Sequence, residues 1–195
     1  LDTETSSPSV IEASYGEYYD EALGRFPSPL TWYRDQQDRW NLAPGSASHR
    51  SAARRAFRYV RITAQAPATL AAVSCERVGH PVDRRGRFVC SDERLNRIWD
   101  LSERTTRLCM QHFYEDGIKR DGLLWIGDFR IQYLCNAMLY GDVDLARRSL
   151  LMMAASQRED GGLPACAARG GGHQHPEVID CMPGIPGNLQ NWVIV

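Results

Sequence analysis

The sequence predicts a mixed all-β plus all-α fold, in which an antiparallel β-sandwich portion precedes a set of helices. Before about residue 90 the apolar residues come in short runs separated by turn-forming stretches, and after it they repeat with the period of a helix. The chain has 195 residues, which is room for one domain or for parts of two, since domains typically have about 100–200 residues. We therefore expect a boundary that separates residues 1–88 from residues 89–195.

The strands of the first half are indicated by alternation. In residues 56–64, Val60 and Ile62 alternate with Phe57, Tyr59 and Arg61, a period of two that is typical of a half-buried strand. Turn-forming stretches at residues 26–29, 43–46 and 84–87 separate the runs. Several short strands between such turns favour an antiparallel sandwich over a βαβ fold. The predicted strands are residues 9–23, 30–42, 56–64 and 69–78.

The first helix is predicted to begin just after Cys90. Ser91 can act as its N-cap, and Asp92 and Glu93 suit the positive end of a helix. Residues at helical spacing then define one face of this helix: Leu95, Ile98, Trp99, Ser102, Thr105, Cys109 and Phe113.

Two further helices follow a glycine-containing loop. The second, about residues 128–140, is apolar on nearly every side and must therefore be covered by other elements; Gly141 ends it. The third begins with Asp142 as a cap and continues to about residue 159. Three helices of this kind cannot close a core alone, so we interpret the chain as an internal piece of a longer protein whose remainder supplies the missing partners.

Composition excludes several function classes. With 43% hydrophobic residues, 24% charged residues and a net charge of −1, the chain is globular rather than a disordered tail or a nucleic-acid-binding arm. The basic run at residues 50–61 is therefore interpreted as a solvated strand face, and no nucleic-acid partner is expected. No apolar run approaches the roughly 18 residues that cross a bilayer, and no secretion signal is recognisable, so no membrane partner is expected and the compartment is left open.

The spacing of the cysteines and histidines indicates neither a disulfide framework nor a metal site. Six cysteines without a CxxC pair are interpreted as free thiols rather than as a disulfide framework. The group His173, His175, Glu177, Asp180 and Cys181 fits no tight zinc spacing and lies in a glycine-rich loop, so neither a metal site nor a cofactor is expected.

The stretch from Tyr114 to Asp128 concentrates residues that carry chemistry. It holds the two cations Lys119 and Arg120, Trp125, and four carboxylates. Glycoside cleavage uses one carboxylic acid to protonate the departing oxygen and a second carboxylate to activate water or attack carbon, while an aromatic face covers the sugar. The carboxylates are Glu115, Asp116, Asp121 and Asp128.

A structural interpretation of the same stretch is also open from spacing alone. Asp128 would then be a helix N-cap, Asp116 a turn former, Lys119 and Arg120 a solvated corner, and Trp125 a core residue.

Four motifs occur in a fixed order along the second half of the chain: FVCSD with LNRIW at 88–99, DGIKRDGLLWIGD at 116–128, YGD at 140–142, and QREDGGLP at 157–164. Together they resemble the bacterial α-L-rhamnosidases of glycoside hydrolase family 78. The first half is similar to the β-sandwich that precedes the catalytic domain in this family, chiefly at RYVRI, residues 58–62. The resemblance implies that residues 1–88 are the C-terminal part of that sandwich and residues 89–195 the first helices of an incomplete, truncated (α/α)6 barrel.

The resemblance also implies an activity and its residues. The family hydrolyses terminal α-L-rhamnose from glycosides with inversion, and its general acid falls on Asp121. Asp116 and Asp128 fall on carboxylates that bind rhamnose hydroxyls, and Arg120 and Trp125 on residues that line the same pocket. The family's general base is a Glu far downstream, so it is expected beyond residue 195 and the chain alone is expected to be inactive. The implied partners are an L-rhamnoside substrate and the remainder of the full-length chain.

Asp121 departs from the family pattern, which usually has Glu at this position. Asp is one methylene shorter and has a lower reference pKa, about 3.9 against 4.3, so a dry site or a nearby carboxylate is needed to keep it protonated. Gly122 replaces a bulkier residue and is expected to loosen the loop. Two alternatives therefore stand: another (α/α)6-barrel glycoside hydrolase, or a catalytically inactive carbohydrate-binding relative. A protein-interaction module is a third, weaker one.

Overall fold

The structure, a computed structural model of the chain, describes residues 1–25, 36–119 and 122–167. The chain divides into two compact units, Leu1–Val78 and Gly79–Val195, called unit 1 and unit 2 below. Antiparallel sheets make up unit 1 and helices dominate unit 2, which confirms the predicted order of the two fold classes.

Outside residues 26–35, which are not described, unit 1 forms two three-stranded antiparallel sheets. In one, the central strand β2 lies between β3 and β5, and in the other β1 lies between β4 and β6. Buried residues alternate along β1 and β2, as they do in a strand with one covered face. The elements of unit 1 are β1 (Asp2–Thr5), β2 (Ser9–Gly16), α1 (Tyr19–Ala22), β3 (Gln37–Leu42), β4 (Gly45–Ser48), β5 (Tyr59–Ala64) and β6 (Thr69–Ala72).

The predicted strand at residues 9–23 is too long. β2 ends at Gly16, where a Cβ atom would lie 2.6 Å from the Ala22 nitrogen and 2.7 Å from the Tyr18 oxygen, so the chain folds closely back into α1 there. The strand predicted at 69–78 ends at Ala72, and β1 and β4 were not predicted. Residues 26–35, which include a predicted turn and the start of the predicted strand 30–42, lie outside the described residues.

A buried ion pair stabilises unit 1. Arg55 Nη2 lies 2.5 Å from Asp38 Oδ1, and the two side chains are 11% and 9% exposed. The Arg55 guanidinium also donates to the Gln37 carbonyl at 2.7 Å and lies 5.6 Å from the ring centroid of Tyr15. Burial by itself raises the pKa of Asp38, but hydrogen bonds, led by the one from Arg55, hold that pKa below its usual value.

We expect the substitution Arg55→Met to lower the free energy of unfolding by about 3–5 kcal/mol, because it leaves a buried carboxylate without its cation. The folded-state pKa of Asp38 is depressed, so its contribution is fully present above the unfolded-state pKa and is lost as the pH falls through the folded-state pKa. Urea unfolding at neutral and acid pH measures both effects, and the acid-induced loss should shrink in the variant. The control is Arg39→Met, which removes the exposed pair with Glu12 and should cost at most about 1 kcal/mol. Equal losses of unfolding free energy in the two variants would contradict a stabilising role of the buried ion pair.

The described residues of unit 2 form three helices and a two-stranded sheet. The Asp92 carboxylate, not Ser91, caps the first helix by accepting a hydrogen bond from the Arg94 nitrogen at 2.9 Å. The next helix begins two residues before the predicted start, and Gly141 ends it with φ 65°, a left-handed conformation that favours glycine. The elements are α2 (Glu93–Cys109), β7 (Leu124–Trp125), α3 (Ile126–Leu139), α4 (Asp144–Ala155) and β8 (Cys166–Ala167).

The start of α4 matches the predicted role of Asp142, whose Oδ2 accepts from the Leu145 nitrogen at 3.1 Å. The same carboxylate lies 3.2 Å from His80 Nε2, and the His80 nitrogen donates to the Met110 carbonyl at 2.8 Å. These contacts join the first residues of unit 2 to the α3–α4 connection. The helix ends at Ala155, earlier than the predicted residue 159.

The core of unit 2 is formed by α3, α4 and the segment that follows α2. Its buried members are Met110, Phe113, Tyr114, Leu124, Ile126, Phe129, Leu139, Tyr140, Leu145, Ala146, Met153 and Ala167. The residues predicted to share one face of α2 differ in burial: Leu95 and Ile98 are exposed, whereas Phe113 is buried and Trp99 stacks on Phe88 at 5.4 Å.

Helix α3 is covered on one side in the described part of the chain. Phe129 and Leu139 are buried, whereas Ile131, Leu134 and Met138 on other sides are exposed. None of the described helices combines the length and the apolar character needed to cross a membrane.

Candidate functional site

The base of the loop between α2 and α3 is anchored in the core of unit 2. Met110 and Tyr114 form an antiparallel bridge, and the Glu115 nitrogen donates to the Cys109 carbonyl at 2.9 Å, so the chain reverses directly after α2. Tyr114 is fully buried, with its ring edge-on to Phe129 at 5.3 Å. Burial, together with the nearby Asp142 carboxylate, raises the pKa of Tyr114, which keeps its hydroxyl neutral.

Helix α4 holds the loop base through Ser149. The Ser149 hydroxyl is buried, donates to the Leu145 carbonyl at 2.8 Å and accepts from the Tyr114 nitrogen at 3.2 Å. It thereby satisfies a buried backbone N–H that no helix or strand pairs.

Asp116 and Leu123 close the loop. The Asp116 nitrogen donates to the Leu123 carbonyl, and the Leu123 nitrogen donates to Asp116 Oδ1, both at 2.9 Å. Residues 116–123 are thus a loop whose two ends are hydrogen-bonded to each other. The predicted site residues Arg120 and Asp121 belong to this loop and lie outside the described residues. Gly122 has φ 63°, a left-handed conformation that favours glycine, directly before the closing residue Leu123.

Two charged residues of the loop are buried. Glu115 is 5% exposed and Lys119 is 7% exposed. The interpretation of Lys119 as part of a solvated corner is therefore wrong, whereas the turn-forming role of Asp116 is present in the structure. Burying a charge is costly without electrostatic partners, and both residues have interaction partners.

Trp125 and Asp128 lie where the loop becomes α3. Trp125 pairs with Cys166 in the β7–β8 sheet and is partly buried, so it is neither a fully buried core residue nor a fully exposed one. Helix α3 starts at Ile126, which places the exposed Asp128 in the first turn and not at the N-cap. A carboxylate in this turn is stabilised by the positive end of the helix dipole.

Gln132 joins the loop base to α3 and was missed by the sequence analysis. Its Nε2 donates to the Glu115 carbonyl at 2.6 Å. Since residues four apart share a helix face, Gln132 lies one turn after Asp128 on the same side of α3. The bond therefore brings the residue before Asp116 next to the turn that follows Asp128. The four-residue spacing between Asp128 and Gln132 was the signal in the sequence that could have identified Gln132.

The described residues contain no group of three His, Cys, Asp or Glu side chains arranged to hold a metal ion. His173, His175, Glu177, Asp180 and Cys181 lie outside the described residues.

Comparisons with known proteins relate this chain to bacterial rhamnosidases. The family model of the bacterial alpha-L-rhamnosidase 6 hairpin glycosidase domain matches residues 83–189. A GH78 family rhamnosidase of Bacillus sp. GL1 has a similar structure, with a TM-score of 0.69 and 31% sequence identity over 80% of this chain. A rhamnosidase from Klebsiella oxytoca with rhamnose bound has a TM-score of 0.58 and 25% identity over 88% of this chain. No curated protein matches.

The chain belongs to the bacterial α-L-rhamnosidase family of six-hairpin glycosidase domains, because the family model covers more than half of it. This confirms the resemblance drawn from the four motifs. The chain spans 16% of the length of the Bacillus protein and 35% of that of the Klebsiella protein.

We expect the substitution Ser149→Ala to lower the free energy of unfolding by about 1–3 kcal/mol, because the buried Tyr114 N–H loses its acceptor. Chemical denaturation monitored by tryptophan fluorescence measures the loss. Ser156→Ala is the matched control, since that hydroxyl donates in the same way to the Met152 carbonyl at 3.0 Å but lies at the end of α4. A loss as large in the control would show that the Tyr114 contact is not the cause.

Proposed function

We propose that this chain is part of an inverting α-L-rhamnosidase, which removes terminal α-L-rhamnose from glycosides. The observation that supports this most strongly is the family match over residues 83–189, which includes the whole loop from Asp116 to Asp128. The structural similarity to a rhamnosidase with rhamnose bound adds the substrate class.

In this proposal Asp121 is the general acid that protonates the glycosidic oxygen. The general base lies beyond residue 195 and activates a water on the opposite face of the sugar ring, as inversion requires. Inverting enzymes hold the two carboxyl groups about 6.5–9.5 Å apart, so the acid needs a firmly held loop. The two Asp116–Leu123 hydrogen bonds supply such a base for residues 116–123.

The sugar is held by Asp116, Arg120, Trp125 and Asp128. Three of these four are described, and their local geometry is compatible with the role. Asp128 lies exposed on the first turn of α3, and Trp125 keeps part of its ring accessible for the C–H face of a sugar. Asp116 lies at the loop base, where its Oδ1 accepts a hydrogen bond from the Leu123 nitrogen.

We expect the substitution Asp121→Asn in the complete protein to lower kcat on a rhamnoside with a poor leaving group by about 10²–10⁴-fold, because it removes the proton donor. Asp121→Glu should retain activity, since it restores the residue type usual in the family. Asp100→Asn, a change of an exposed α2 carboxylate, is the control and should leave kcat unchanged. The hydrolysis rates test whether Asp121 is the general acid. The anomeric form of the released sugar, determined by NMR, tests whether the reaction proceeds with inversion.

The outcomes separate the alternatives. Unchanged activity in Asp121→Asn would remove Asp121 from the role of the acid. Rhamnose binding without hydrolysis by the unmodified protein would favour an inactive carbohydrate-binding relative. Hydrolysis of other glycosides in preference to rhamnosides would favour a different glycosidase on the same barrel.

We further propose that the remainder of the longer protein covers the exposed apolar faces of α2 and α3. Ile98 and Ile131 are 57% and 64% exposed, and the chain spans 16% and 35% of its two relatives. Exposed apolar surface of this extent is unfavourable in water.

Accordingly, Ile131→Lys should change the stability of the 195-residue chain by no more than about 0.5 kcal/mol. In the complete protein the same change should cost several-fold more, since a charge would then be buried without a partner. Parallel urea unfolding of the two forms measures the difference. Equal, small changes in both forms would mean that α3 stays uncovered.

A further inference from the structure

Gln132 connects two parts of the site that are distant in sequence. Its Nε2 donates to the Glu115 carbonyl at 2.6 Å, across 17 positions of the chain. One partner is a helix residue and the other is the backbone of the loop base, so the bond ties the position of the loop to that of α3.

Each of the two bonded residues lies close to a predicted sugar-binding carboxylate: Glu115 precedes Asp116 in the chain, and Gln132 lies one helical turn after Asp128. Glu115 is buried and held by its own backbone bond to Cys109, and the next residue, Asp116, is paired twice with Leu123. A displacement of the Glu115 carbonyl therefore moves Asp116. At the other end, Gln132 lies on the same face of α3 as Asp128, one turn later.

The oxygen of the Gln132 side-chain amide is in an environment that would be unfavourable if the residue served only to fill space. Its Oε1 is buried and has no hydrogen-bond partner among the described residues. A buried amide oxygen without a donor is costly, and an apolar side chain of similar size would avoid that cost. A glutamine here is explained by the need for its N–H donor at the Glu115 carbonyl.

We propose that Gln132 is a positioning residue that sets the spacing between Asp116 and Asp128. It acts on the sugar through these two carboxylates and not by contact. This inference rests on the proposed function for the roles of Asp116 and Asp128, whereas the tie between α3 and the loop is a property of the fold and is tested separately.

The first test is kinetic and uses the complete protein with an aryl α-L-rhamnoside. Gln132→Leu removes the donor, and Gln132→Glu keeps the shape while replacing the donor with an acceptor. In both we expect KM to rise about ten-fold with a smaller change in kcat, because misplaced binding groups weaken sugar binding in ground and transition state alike. A variant that merely folds less well loses maximal rate and keeps its KM. Gln65→Leu, at an exposed position in unit 1, is the control and should leave both parameters unchanged.

The second test is amide hydrogen exchange, which does not depend on activity. The amides of Asp116 and Leu123 should exchange about ten-fold faster in both variants, since opening of their shared bonds becomes easier, while amides within α2 keep their rates. If the Gln132→Leu variant does not fold, the same exchange rates are measured on the Gln132→Glu variant.

The combination of results is decisive. Unchanged exchange at Asp116 and Leu123 overturns the positioning role whatever the kinetics are, and so does an unchanged KM with a reduced maximal rate. Faster exchange in a protein that hydrolyses no rhamnoside supports the tie between loop and helix and rejects the proposed function instead.

Discussion

The loop between α2 and α3 depends on the paired hydrogen bonds of Asp116 and Leu123. One residue supplies its backbone and its carboxylate, and the other supplies both of its backbone groups. A pair of this kind confines the ends of an eight-residue segment at once, so its conformational freedom is reduced before any substrate arrives. Such preorganisation would suit the proposed role of the loop in catalysis, since the barrier falls when reacting groups need no reordering.

The closing pair is itself held by the packing of unit 2. Tyr114 is buried against Phe129 of α3, and its backbone N–H is bound by Ser149 of α4. Elements that are far apart in sequence therefore meet at the residue just before the loop. The buried charges of Glu115 and Lys119 add a constraint of another kind, because groups that have left water are held by specific partners and resist displacement. The ends of the loop are thus attached directly to the core of unit 2.

Local sequence signals predicted the order of the elements well and their orientation less well. The apolar repeats located α2, α3 and α4 to within a few residues, because helical periodicity reflects the chain itself. The same repeats do not specify which residues of α2 are buried: Leu95 lies on the predicted face and is exposed, whereas Thr106 lies off it and is buried. Burial of a helix face depends on which other segments pack against the helix, and the pattern of the helix alone does not specify those segments.

The site shows the same division. By itself, the sequence determined the chemistry of the loop: the order of its acids, its cations, its tryptophan and its glycines, and through these the family to which the chain belongs. Only the tertiary structure decided what each side chain does there, that Asp116 closes the loop, that Lys119 is buried, and that Gln132 reaches the Glu115 carbonyl. The physical reason is that residue identity is a local property of the chain, whereas burial and hydrogen bonding depend on which distant segments pack together.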